Sequence, residues 1–148
     1  MFFKCIRNKI LLLCLVFGML SNSYVSKASE TIVIITYPEV ETQTLSKNAL
    51  RSIFSMRLKT WPDKMPIRVF VLPDDHPIHS TFTKEKLNVF SYQLRATWDR
   101  LVFSGTGQAP IKVNTYEEML SGVAKTPGAI GYLKERHLNN SVRVLNVE

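Results

Sequence analysis

Residues 67–82, IRVFVLPDDHPIHSTF, decide how the chain is read. The first part is a β-branched and aromatic run without charge beyond Arg68, the composition of a buried strand. Pro73-Asp74-Asp75 then forms a tight acidic turn. Pro77 suits the first position of a helix, with Asp75 and His76 at its entry and Ile78 and Phe82 on its buried side. A strand, a turn and a helix N-terminus make up the unit in which open α/β sheets hold ligands, beyond the carboxyl ends of the strands.

Working outward, residues 31–36 (TIVIIT) are a second continuous β-branched run, suited to a strand covered on both faces. Tyr37-Pro38 ends it, because proline cannot donate to a ladder. Ser46 is an N-cap for a helix carrying Ala49, Leu50, Ile53 and Phe54 on one side. Ser91 caps a helix with Leu94, Trp98, Leu101 and Val102 at helical spacing, broken by residues 104–107 (SGTG). Residues 111–113 form a short strand. Thr115-Tyr116-Glu117-Glu118 is a capping box for a helix ended by Pro127-Gly128. Residues 129–132 and 142–147 read as further strands. Strands alternating with helices predict α/β architecture, with a mostly parallel central sheet and helices on both faces.

The first 28 residues stand apart. Lys4, Arg7 and Lys9 precede an apolar run over residues 10–20, and Ser26-Lys27-Ala28 offers small residues at the cleavage positions. The run is short for a membrane span, and the small residues expected before a lipidated Cys14 are missing. The expectation is a signal peptide over 1–28, cleaved after Ala28, and one periplasmic domain over 29–148, with membrane contact only through the signal. Both cysteines, Cys5 and Cys14, lie in that segment, so the remainder has no thiol nucleophile, disulfide or zinc–thiolate site. Of the 19 basic residues, four lie there, leaving 15 against 12 acidic ones. That balance gives no reason to expect nucleic acid. The remaining length suits one domain with one core.

Asp74, Asp75, His76 and His79 are the densest polar cluster, continued by Ser80 and Thr81. They read as a solvated helix entry, a small-ligand site, or a metal pair with the histidines about one helical turn apart. No metal or cofactor is expected. On the parallel-sheet reading, Thr36 and Tyr37, at the end of a neighbouring strand, join the cluster on one edge. Ser104, Gly105 and Thr106 are the alternative anion loop, against the plainer reading of a helix C-cap and turn. Trp61 and Trp98 read as core rather than ligand-stacking residues. Arg95, Arg100 and Lys112 read as a solvated charge pattern. With no nucleophile elbow, P-loop, HExxH or paired-cysteine motif, the chain reads as a non-enzyme.

Several segments together carry a resemblance. Leu45-Ser46, Leu50-Arg51-Ser52-Ile53-Phe54, Trp61-Pro62-Asp63, residues 67–74 and Gly128-Ala129-Ile130-Gly131-Tyr132 occur in an order similar to the phosphate ABC-transporter substrate-binding proteins of the type II periplasmic binding fold. The resemblance implies one lobe of a fold whose family members have two. In the family, an arginine, an aspartate and a Ser-Gly-Thr follow the matching strand. Here the matching stretch is residues 72–78, in which Asp74 persists while the arginine and the Ser-Gly-Thr do not. The implied function is an exported single-lobe module, accessory to a transport or envelope complex through a protein partner or self-association. The alternative is a solute-binding protein for phosphate or a related oxyanion.

Overall fold

The computed structural model describes residues 31–148; the expected signal segment lies outside the described residues. Six strands form one sheet: β1 (Ile32–Thr36), β2 (Thr44–Leu45), β3 (Arg68–Val71), β4 (Ile111–Lys112), β5 (Ala129–Lys134) and β6 (Arg143–Val147). Among the described residues, four α-helices accompany them: α1 (Lys47–Phe54), α2 (Pro77–Lys86), α3 (Ser91–Phe103) and α4 (Tyr116–Lys125). The sheet order is β2-β6-β1-β5-β3-β4.

Three of the five pairings are parallel: β2 with β6, β3 with β4 and β3 with β5. β1 runs antiparallel to both of its neighbours, β5 and β6. The expected architecture is therefore present, as are the strands around residues 31–36, 67–72 and 111–113. The direction of β1 was not foreseen, nor was β2.

Side chains alternate across a strand, so neighbouring β5 residues serve opposite faces. Tyr132 meets Phe54 of α1 and Phe82 of α2 on one face. Gly131 turns toward α4 on the other, where an added Cβ would lie 2.6 Å from Met119 Sδ. Gly122 of α4 meets Phe70 on that same face. Ile34, Val71 and Ile130 are buried in the core, while Val69 is half-buried and lines a cleft beside β3. Trp61 and Trp98 are both core residues. Each ties its indole N–H to a backbone carbonyl, Trp61 to Gly128 at 3.0 Å and Trp98 to Phe54 at 2.7 Å.

Helix starts follow local chemistry. The Ser46 and Thr115 hydroxyls accept from Ala49 and Glu118 amides at 3.1 Å each. Glu118 reaches back to the Asn114 amide rather than that of Thr115, a variant of the expected box. α3 begins one residue earlier than expected, with Phe90 at the cap and Ser91 inside the helix; Gln93 accepts from the Phe90 amide at 3.0 Å. No helix among the described residues is long and apolar enough to cross a membrane.

Candidate functional site at the carboxyl end of β3

The turn after β3 brings Asp74 to the entry of α2, and α3 packs alongside α2. Arg95 of α3 donates to Asp74 Oδ2 at 3.0 Å and to Asp99 Oδ1 at 3.1 Å. Asp74, Ser80, Ser91, Arg95 and Asp99, with Phe90 and Tyr92, line an open depression of about 510 Å³. The Phe90 and Tyr92 rings lie nearly parallel, 5.7 Å apart, and both are exposed.

Behind Asp74 lies a buried chain of polar groups. The Leu72 amide donates to the Tyr132 hydroxyl at 3.0 Å, and that hydroxyl lies 2.5 Å from His79 Nδ1. Because the tyrosine oxygen already accepts from Leu72, its own proton satisfies Nδ1. The imidazole proton then sits on Nε2, facing Asp74 Oδ1 at 3.9 Å. The opposite tautomer would point a nitrogen lone pair at the carboxylate and strand the tyrosine proton. At 3.9 Å the two groups do not hydrogen-bond, and neither His79 Nε2 nor Asp74 Oδ1 has another partner among the described residues.

His79 is fully buried, which corrects its reading as a solvated helix-entry residue. It shares the inner face of α2 with Ile78 and Phe82. Burial holds its pKa below the ordinary 6.5, against the smaller upward pull of Asp74. His76 and Lys112 push in the same direction as burial. Burial likewise pushes the Tyr132 phenol upward, so it stays protonated.

Below pH 6.5 the unfolded chain takes up a proton at His79 that the folded chain resists. The stability contribution is therefore complete above pH 6.5 and is lost as the pH falls toward the lowered folded value. Thermal melts across that window should show the wild type losing stability with acid. His79→Gln should lose less over the same interval, and equal slopes would contradict a neutral buried imidazole.

The helix entry is closed to an anion. Pro77 has no N–H, and the Ile78 amide donates to His76 Nδ1 at 3.2 Å. The His79 and Ser80 amides donate to the His76 carbonyl at 2.9 and 3.3 Å. The Ile78, His79 and Ser80 amides are thus all spent on His76, so the entry of α2 does not present the free N–H groups that a helix N-terminus beyond a strand can offer a ligand.

Thr36 and Tyr37 do not join this cluster. Because β1 runs opposite to β3, Thr36 pairs with Ile130, which in turn pairs with Val69 toward the start of β3. The Tyr37 amide donates to the Ala129 carbonyl at 2.9 Å, so both residues lie at the far edge of the sheet. Asp75 and Ser80 are exposed, and Thr81 spends its hydroxyl on the Pro77 carbonyl at 3.0 Å. Half-buried His76 meets the Tyr116 ring edge-on.

The alternative loop is also locally satisfied. The Thr106 and Gly107 amides both donate to the Leu101 carbonyl at 3.0 Å, and the Ser104 and Thr106 hydroxyls lie 2.7 Å apart. No group of three or more His, Cys, Asp or Glu side chains among the described residues could hold a metal.

Arg95, Asp99, Phe90 and Tyr92 were not placed in the site by the sequence. The Arg95–Asp99 spacing is a local helical signal. The link from Arg95 to Asp74 spans 21 residues and exists only once α3 packs on α2.

This sheet order, with helices on both faces and a polar turn after β3, defines one lobe of a periplasmic-binding-type fold. The chain belongs to the PBP superfamily domain family, whose model matches residues 26–142. An ABC-type phosphate transport receptor from Vibrio cholerae superposes with a TM-score of 0.64 at 14% identity, over 78% of this chain and 45% of that one. A phosphate ABC transporter substrate-binding protein from Clostridium perfringens, solved with bound phosphate, gives 0.63 at 19%, over 78% and 44%. PstS from Borrelia burgdorferi gives 0.62 at 17%, over 79% and 47%. The chain thus spans less than half the length of these structures. At such identities the likeness is one of fold, and it bears out the resemblance read from the motifs. No curated protein sequence matches the chain.

Proposed function

We propose that this chain is an exported solute-binding domain of the ABC-transporter type. Its ligand edge is the depression at Asp74 and Arg95, and its ligand is phosphate or a related oxyanion. The observation supporting this reading is the superposition of nearly four fifths of the chain on phosphate-transport receptors. Export through residues 1–28, cleavage after Ala28 and a periplasmic location belong to the same proposal, and no catalytic role is part of it.

The site's electrostatics set the strength of binding. Arg95 is the cation of the depression, and an anion must compete for it with Asp74 and Asp99. With Asp75 close by and the α2 amides already used, each charge-assisted bond gains little in an edge open to water. Half-saturation by phosphate near neutral pH should therefore fall at about millimolar concentration. Equilibrium dialysis with labelled phosphate tests this; micromolar binding would contradict the account of the site.

One observation favours a second reading. The closed entry of α2 suits an accessory module that uses the same edge to meet a transporter or envelope protein, or a second copy. An absence of phosphate binding up to about ten millimolar would favour it.

A further inference from the structure

The start of β3 lies at the opposite end of that strand from the Asp74 turn, with about 10 Å of strand rise between its ends. There, α1, β3 and the loop from α3 to β4 enclose a half-open cleft of about 490 Å³. We infer that this cleft is a second binding site, for a small amphipathic anion: a carboxylate or sulfonate carrying an apolar body.

Three features carry the inference. The volume lies in the range of small-molecule pockets. The walls are mainly apolar, with Met56, Ile67, Val69 and Ile111 among them. The charged groups in the lining are Lys59 and Arg68, and no carboxylate lines the cleft. Neither cation forms an ion pair among the described residues. Lys59 Nζ donates to the Thr106 carbonyl at 2.5 Å, and Arg68 donates to the Gln108 side-chain oxygen. Neutral acceptors thus hold two cations at the cleft, and a ligand acid group can add charge-assisted bonds to both. The Asp74 edge has the opposite character, with carboxylates already on its arginine.

The cleft floor is built in advance. Met56 adopts a left-handed backbone at φ 62° as the chain leaves α1. Gly107 presses against it so closely that an added Cβ would lie 2.9 Å from Met56 Sδ and from Leu101 Cβ. A residue held in that sparse region persists because its surroundings over-determine it. The apolar walls give a hydrated inorganic ion nothing, so the ligand class is set by an apolar body together with one acid group.

Calorimetry with decanoate below its micellar concentration tests the inference on the exported chain. Decylammonium and inorganic phosphate serve as comparisons. Decanoate should saturate one site, and decylammonium should not. Lys59→Gln or Arg68→Gln should each weaken decanoate binding by about tenfold. Both side chains are exposed, so the fold should tolerate the changes. Ile111→Glu, which places a carboxylate at the rim, should abolish decanoate binding. Arg95→Gln should leave it unchanged, separating this cleft from the proposed phosphate edge. An absence of saturation, equal binding of decylammonium, or decanoate affinity unchanged in all three cleft variants would overturn the inference.

Discussion

Gly128→Ala should cost about 4 kcal/mol or more, enough to unfold a domain of this size. Gly128 has φ +75°, and a Cβ there would lie 2.1 Å from the Pro66 carbonyl oxygen. The obstacle is backbone, not a flexible side-chain tip. The Gly128 carbonyl accepts from the Arg68 amide at 3.1 Å and from the Trp61 indole at 3.0 Å. Moving the chain to admit a methyl would strip both bonds and disturb the start of the β3–β5 pairing. Gly105→Ala separates the two causes: Gly105 has φ +71° but nothing within 4 Å of the added Cβ. It should lose only about 1 kcal/mol, through backbone strain. Urea denaturation of the two variants measures the difference, and similar losses would show that the contact with Pro66 is unimportant.

Phe82→Ala should cost about 3–5 kcal/mol. Phe82 is fully buried, stacks on Tyr132 at 3.8 Å and meets Phe54 edge-on at 4.7 Å. Three elements converge on that one ring, so the void left by truncation cannot collapse cheaply. Tyr132 also holds the His79 imidazole, so the variant should loosen the support behind Asp74 as well as the core. Denaturation should show a lower midpoint, and near-UV circular dichroism should show a weaker aromatic signal. A loss below about 1 kcal/mol would mean that the aromatic cluster is not the centre of the core.

Much of the architecture was legible because buried strands need unbroken apolar runs. Residues 31–36 and 67–72 have that composition whichever way their neighbours run. The same indifference hid the direction of β1, since two-sided burial does not record strand polarity. Thr36 and Tyr37 were therefore assigned to the wrong edge. The two-residue β2 is too short for any periodicity to register. Within the site, Asp74 was readable from its place after a strand, whereas Arg95 reaches it only through packing of α2 and α3. His79 was misjudged because it was treated as polar and therefore solvated. Its burial rests on Tyr132, 53 residues away, which supplies its hydrogen bond.

An oxyanion bound at the proposed Asp74–Arg95 edge would perturb the backbone around it. Backbone amide NMR during a titration with phosphate at neutral pH tests for that binding most directly. Small saturable shifts are expected at Asp74, His76, Ser80, Ser91 and Arg95, with half-saturation at about millimolar phosphate and loss of the shifts in Arg95→Gln. Shifts confined to Lys59, Arg68 and residues 105–111, unchanged in Arg95→Gln, would contradict binding at that edge.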